Sequence, residues 1–215
     1  MKKTGITLCL ICAIATMMST FSAEAKTIKL PAANLNRDTK SLMETFQVRK
    51  SIRAYSDRML SDQDLSDLLW AAQGLTHEGG RMTSPTAKNS QEIILYVFME
   101  DGIYIYDHYK HILTQVKEGD HRDVLCAGQA FAKTAPVALL MVADLDKYGN
   151  DTEHARTMVF ADAGICNENI NLFCAAAGLC TVPRGMMDHK AIAGLLALTE
   201  KQIPVLNNPV GYPKN

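Results

Sequence analysis

The sequence has no excess of charge of either sign. Its 22 Lys and Arg stand against 23 Asp and Glu, a formal net charge of −1 over 215 residues. Such a balance leaves no electrostatic footprint for DNA, RNA or an anionic lipid surface, and those partners are set aside. Aromatics are sparse at 7%, and charged residues reach 21% against 47% hydrophobic ones, the composition of a folded chain rather than a disordered one. There is no internal repeat. Beyond the first 25 residues no segment is long and apolar enough to act as a membrane anchor. The cysteines downstream of that point, Cys126, Cys166, Cys174 and Cys180, form no C-x-x-C pair and have no histidine cluster at zinc spacing. Cys166 and Cys174 lie eight residues apart in one helical pattern, too far along the axis to bond each other, so buried thiols are expected. His108 and His111 lack further ligands, and no metal is expected. One domain with a substantial core is the prior at this length.

What is present begins with a leader-like start. Lys2 and Lys3 precede an apolar run from Ile6 to Met18, and Ala23-Glu24-Ala25 has the small-x-small form of a cleavage site. The run is short for a bilayer span. Residues 1–25 therefore read as a signal peptide, and export to the periplasm is expected, with a mature chain beginning at Lys26.

Residues 26–40 are polar without periodicity and read as an N-terminal arm ahead of a domain over 41–215. Ser41 to Val48 predicts a short helix. Ser61-Asp62-Gln63-Asp64 resembles a capping box, followed by Leu65, Leu68, Leu69 and Ala72 at helical spacing and by Gly74 as the stop. Residues 76–90 are rich in turn formers. Ile93 to Met99 is a continuous β-branched and aromatic run, a buried strand; Ile103–Tyr106 and His111–Val116 then predict a hairpin. A helix over 121–133, a second buried strand over 136–143 and a long apolar helix over 153–177 follow, the last packed on several sides. A short strand (179–182), a helix capped by Asp188 and a final strand (203–210) complete the chain. The hairpin breaks strict βαβ alternation, so the class is α+β.

Three stretches carry chemistry. Arg49-Lys50-Ser51-Ile52-Arg53 concentrates three cations and a hydroxyl, the donors a phosphate monoester needs, although a solvated charged turn has the same composition. Asn89-Ser90-Gln91, after Pro85-Thr86-Ala87, offers amides to a heterocycle edge. Val182-Pro183-Arg184-Gly185 is a tight stretch whose backbone N–H groups can face a ligand. Trp70 reads as core, and Cys180 as a packed thiol near that turn.

In order and spacing, these segments resemble the FMN-dependent nitroreductase family, most like its shorter, SagB-like members. The resemblance is carried by RKSIRAY (49–55), LLWAAQGL (68–75), SPTAKNSQE (84–92), GIYIYDHYKHIL (102–113), AGQAFAKTAPVALLMVAD (127–144), DAGICNENINLFCAAAGLCTVP (162–183) and NPVGYPK (208–214). It implies a mixed sheet flanked by helices, an intertwined homodimer with two FMN sites at the subunit interface, and helix 153–177 as much of the dimer contact. It implies that Arg49 and Ser51, beside Lys50, hold the FMN phosphate and that Arg53 lies near flavin N1. Pro85, Thr86 and Ala87 match a segment laid against the partner's cofactor, continued by Asn89 and Gln91. Gln129 stands where the family sets an amide against the pyrimidine edge, and Gly185 and Met186 match the turn facing N5. No side chain is expected to act as an essential catalytic acid.

The implied activity is ping-pong hydride transfer to a small organic acceptor such as a nitroaromatic, quinone or enone, with NAD(P)H as candidate donor. An azoline-type dehydrogenase and a non-catalytic exported flavin carrier are the alternatives. The chain departs from the family pattern at Gly185, where some members have Glu, at Glu92, where many have Pro, and at Lys88, which replaces a small residue. Lys214 is the cation standing where longer members place a phosphate clamp.

Overall fold

A computed structural model describes residues 25–77 and 79–214; the expected signal peptide, 1–25, lies outside the described residues except for Ala25. Among those described, the strands are β1 Thr27–Lys29, β2 Leu75–His77, β3 Arg81–Met82, β4 Ile93–Met99, β5 Gly102–Asp107, β6 Ile112–Glu118, β7 Val137–Asp144, β8 Cys180–Thr181 and β9 Gln202–Gly211. The helices are α1 Leu42–Val48, α2 Asp62–Gln73, α3 Phe131–Thr134, α4 Leu145–Tyr148, α5 Glu153–Ala177 and α6 His189–Leu196. A seven-stranded sheet runs β1-β6-β5-β4-β7-β9-β8, and β2 and β3 form a separate ribbon. The α+β class is as expected. The sheet, expected to be mixed, is antiparallel along every described ladder, because hairpins join β4, β5 and β6 and the crossover from β7 to β9 reverses direction.

The two apolar runs take the centre. β7 is buried at every position and β4 at six of seven, because helices cover both faces of the sheet. Alternation divides their side chains. Leu95, Val97, Leu139 and Met141 join Leu68 and Leu69 of α2 and Val159, Cys166 and Ile170 of α5. Tyr96, Phe98, Leu140 and Val142 join Leu125 and Ile192 of α6 on the other face. Each such aliphatic side chain contributes about 1.5–3 kcal/mol on burial.

Capping sets the helix boundaries. Ser41 and Glu44 close a reciprocal capping box at α1. Ser61 caps α2 through the Asp64 N–H as expected, but Asp64 returns no bond to the Ser61 backbone. Its carboxylate instead accepts from the Ser61 and Tyr212 hydroxyls and from Arg37. Thr152 caps α5, and Gly178 ends it in the left-handed region at φ 75°, where a Cβ would be strained.

Two expectations need correction. The arm over 26–40 is extended, yet it is part of the fold: β1 pairs with β6, the Pro31 carbonyl accepts from Ser66 at 2.6 Å, and Arg37 bridges Asp64 and Asp67. The helix over 121–133 is two short turns, Arg122–Leu125 and α3, broken at Ala127 (φ 44°) and Gly128 (φ 82°). Arg184 donates to the Leu125 carbonyl at 2.7 Å and to the Cys126 carbonyl at 2.8 Å, the latter also accepting from the Gln129 N–H at 2.9 Å, so the guanidinium holds the chain in this broken form.

Helix α5 buries one face, with Ala155, Val159, Ala163, Cys166, Ile170 and Cys174 at helical spacing. From 169 to 177 no residue is exposed, in line with the expected packing on several sides, whereas over 153–168 the face away from the core is left open within the chain. Phe160 and Ile165 remain 46% and 39% exposed, and Leu42, Met43 and Phe46 of α1 remain 63%, 74% and 53% exposed. No described helix is long and apolar enough to cross a membrane.

Candidate functional site

The cationic pentapeptide leaves α1 in extended form and is pinned across the end of the sheet. The Ile52 N–H donates to the Thr181 carbonyl at 2.9 Å, Tyr55 donates its hydroxyl to the Ile52 carbonyl at 2.9 Å, and Tyr55 bridges Pro213. Ile52 therefore turns inward while Arg49, Lys50, Ser51 and Arg53 stay exposed. None of these four side chains makes an ion pair or hydrogen bond with another described residue. A groove of about 190 Å³ opens beside them, lined by Lys50, Ile52, Asn171, Cys174, Thr181 and Pro213. Lys214 lines the adjoining groove with Tyr55, Ser56, Asp57 and Thr134. Burial pushes the Cys180 thiol up, with Lys50 a smaller opposing influence, as befits a packed cysteine.

The turn at 184–187 forms a second part. Arg184 and Asn207 exchange backbone hydrogen bonds at 2.9 and 2.8 Å. The buried Asn207 amide also donates to the Arg184 and Met186 carbonyls at 3.3 Å. With its carbonyls held, the turn leaves the N–H groups of Gly185 and Met186 without an acceptor among the described residues. Space beside Gly185 is open: a Cβ there would meet nothing within 4 Å. Gln129 lies against this turn, accepting from Arg184 Nε at 2.9 Å and donating to Met186 Sδ at 3.4 Å. The guanidinium carbons of Arg53 and Arg184 stand 5.9 and 5.5 Å from the centre of the Phe131 ring, so one aromatic ties the pentapeptide to the turn.

Residues 85–91 lie elsewhere. The Ala87 N–H donates to Asp162 Oδ2 at 2.8 Å, and the Gln91 N–H donates to Thr86 Oγ1 at 2.9 Å. Lys88, Asn89 and Gln91 all hold positive φ, at 59°, 56° and 50°. Side chains adopt that region at a cost, and such positions cluster at working sites. Gln91 does not present its amide as the motif suggested, because Gly80 and Tyr109 already occupy both ends of it. Asn89 and Pro85 are exposed. Asp162 sits twelve residues before Cys174 on α5, roughly 18 Å along the axis. One chain thus sets Arg53 and Arg184 against the same Phe131 ring, with Gln129, Gly185 and Met186 around Arg184 and Arg49, Lys50 and Ser51 in the segment leading to Arg53, and holds Pro85, Thr86, Ala87, Asn89 and Gln91 about 18 Å away along α5.

Three features were not read as site elements. Arg184 was noted only for its backbone, yet its side chain organises the turn. Asn207 and Asn208 carried a usable signal, since adjacent asparagines are unusual inside a strand. Asn208 ties β9 to Asn171 of α5 at 3.2 Å and to Thr181 at 3.3 Å. Glu92 and Asp162, both buried, form a carboxyl pair beneath residues 86–91. Burial and, secondarily, Asp162 raise Glu92 to about 7.

Comparison with known proteins converges on one family. The model of the Nitroreductase family matches residues 47–212. A Methanocaldococcus jannaschii protein carrying the nitroreductase name is 30% identical over 176 residues, covering 76% of this chain and 86% of that protein. An Archaeoglobus fulgidus protein named as an NADH dehydrogenase/NAD(P)H nitroreductase is 28% identical over 179 residues, covering 80% and 86%. A crystal structure of a nitroreductase-named protein from Ralstonia eutropha superposes with a TM-score of 0.82 at 33% identity, covering 88% of this chain and 90% of the other. The match takes in α1's end, the pentapeptide, both buried strands, α5 and the turn at 184–187, and the chain belongs to the Nitroreductase family of oxidoreductases.

Proposed function

We propose that this protein is an FMN-dependent oxidoreductase, exported to the periplasm and active as a homodimer. It works by a ping-pong cycle in which a donor such as NAD(P)H and a small nitroaromatic, quinone or enone acceptor use one pocket in turn. The observation carrying this reading is a set of unused donors on two parts of the chain that Phe131 joins, the pentapeptide and the turn at 184–187. Arg49, Lys50 and Arg53 have no carboxylate partner among the described residues, the Gly185 and Met186 N–H groups have no acceptor, and the Gln129 amide nitrogen meets only a thioether. Cations and a hydroxyl suit a phosphate, and bare amides beside a glycine suit the edge of a flat ring.

FMN when bound supplies a reversible two-electron carrier whose reactive nitrogen is N5. The chain's own residues bind and orient: Arg49, Lys50 and Ser51 take the phosphate, Arg53 and Gln129 the N1–O2 side, and the turn at 185–186 the N5 side. The 190 Å³ groove is smaller than the roughly 300–1,000 Å³ of a typical ligand pocket. That supports a site completed by a second copy, with Pro85, Thr86, Ala87 and Asn89 of the partner closing it. The exposed apolar face of α1 and α5 supports the same assembly. Export is supported by the leader pattern of residues 1–25.

A flavin carrier without turnover is the second reading, favoured by one observation: Lys214 lines the neighbouring groove rather than that of Lys50, which leaves the phosphate fewer cations. The purified protein is expected to be yellow, and Arg49→Ala combined with Ser51→Ala to lose the colour. Anaerobic stopped-flow bleaching by NADH or NADPH, followed by recolouring with menadione or a nitrofuran, distinguishes enzyme from carrier. A wild type that stays colourless and binds no added FMN overturns both readings.

A further inference from the structure

Arg184 is 5% exposed, and every group that accepts from its guanidinium is neutral. Nε donates to Gln129 Oε1 at 2.9 Å, Nη1 to the Leu125 carbonyl at 2.7 Å and to Asn207 Oδ1 at 2.8 Å, and Nη2 to the Cys126 carbonyl at 2.8 Å. No carboxylate pairs with it among the described residues. A guanidinium cannot shed its charge at any ordinary pH, so the fold holds a buried cation that four dipoles solvate and nothing neutralises. Leaving such a charge uncompensated costs several kcal/mol in principle, and a fold that keeps one has an anion to meet.

Open space near the cation lies at Gly185, next in the chain, where a Cβ would meet nothing within 4 Å. Arginine has no acceptor, so Gln129 must turn its oxygen to Arg184, which forces its –NH2 outward. The outward nitrogen rests 3.4 Å from Met186 Sδ, a weak acceptor that a better one displaces. Arg184 thereby settles both the polarity of the amide and the sign of the field behind it. Arg53 shares the Phe131 ring but is exposed and screened by water, whereas Arg184 acts from the low-dielectric side.

We propose that Arg184 is a positioning residue that fixes Gln129 as an N–H donor and places an uncompensated positive charge behind it, so that the cleft selects a ligand whose facing edge is an acceptor and gains negative charge. This rests on the FMN reading. For that ligand, the two-electron-reduced form is bound in preference to the oxidised form, and the reduction potential of the bound cofactor rises.

The test measures the potential of bound FMN against free FMN by spectroelectrochemistry, together with the Kd of oxidised FMN, in wild type, Arg184→Lys, Arg184→Met and Gln129→Glu. Because R184M breaks four hydrogen bonds at once, Q129E provides the same neutralisation in a chain that keeps Arg184 and gives it a carboxylate. Q129E and R184M are expected to lower the reduced-to-oxidised affinity ratio about tenfold, equivalent to about 30 mV for a two-electron couple. R184K is expected to keep that ratio within threefold of wild type while weakening binding of oxidised FMN, because the charge survives and the fork to Gln129 does not. Equal potentials in wild type and Q129E overturn the proposal while leaving the FMN reading intact. Absence of any FMN binding by wild type overturns the FMN reading itself.

Discussion

Replacing Glu92 by Gln should remove a pH dependence built into the floor of the 86–91 segment. Glu92 is fully buried at the entrance to β4, and Asp162, 3% exposed, faces it from α5. Glu92 Oε2 accepts from the Ser90 hydroxyl at 2.7 Å and Asp162 Oδ2 from the Ala87 N–H at 2.8 Å, while Glu92 Oε1 has no donor. Lys88, the cation of the same segment, is turned to the Tyr148 ring at 4.5 Å. With no cation to pair with, Glu92 keeps its proton above the ordinary carboxylate range. Burial, with Asp162 as the lesser influence, raises Glu92 from its ordinary 4.5 to about 7. The native state thus holds this proton to higher pH than the unfolded chain does. Its contribution to stability is complete below about pH 4.5 and is lost as pH climbs to about 7. At about 1.4 kcal/mol per unit, the loss is on the order of 3 kcal/mol. Gln keeps the shape, accepts from Ser90 and donates its amide to Asp162 permanently. At equal protein concentration, E92Q should gain roughly 6–12 °C in Tm relative to wild type between pH 4.5 and pH 8. His108 and His111, both lowered chiefly by burial, act in the opposite direction but equally in both proteins, so the difference cancels them. A Tm difference between the two proteins that is the same at both pH values refutes the proton held on Glu92.

Two further outcomes follow from burial. Phe160→Asp combined with Phe46→Asp places charge on the exposed face of α5 and α1, where each aromatic, already half covered, stands to gain about 1 kcal/mol on being covered fully. Light scattering should find wild type at twice the chain mass and the variant at the chain mass with less bound flavin; a wild-type monomer refutes the assignment of that face. Burial also pushes the Cys166 thiol up to about 12 and Cys174 upward as well, whereas Cys126 is only half-buried. A chromogenic disulfide at pH 8 should therefore modify Cys126 first and reach Cys166 and Cys174 only in denaturant, and peptide mapping that finds Cys166 modified first refutes this.

What the sequence made legible was whatever depends on neighbours within a turn or along a strand. Ile93–Met99 emerges with the bounds of its apolar run, and 153–177 with the bounds set by Thr152 and Gly178, because period and cap are local. The Ser61 cap was readable, but the Asp64 carboxylate answers to Tyr212, 148 residues away, so the reciprocal half of the box was not. The helix over 121–133 failed for the same reason. Its residues have adequate propensity, but the chain reverses at Ala127 and Gly128, and the broken form is held by a guanidinium 58 and 59 residues downstream.

The site divides along the same line. Arg49, Lys50 and Arg53 announce themselves by composition, since three cations in five residues are conspicuous however the chain folds. Arg184 is a single basic residue in a stretch of small and apolar ones, and nothing local tells whether it faces water. Its role depends on three carbonyl or amide oxygens brought from 125, 126 and 207 and on a fourth from Gln129. Residues 85–91 pose the converse case: the motif is plain, yet a single chain sets it about 18 Å along α5 from the cleft it resembles part of. A motif whose target lies in a second copy has no intrachain contact to reveal it. In the homodimer proposed above, the apolar face left open on α5 and α1 is the surface that would join the two halves, a partner docked there bringing its own residues 85–91 to the cations at 49–53.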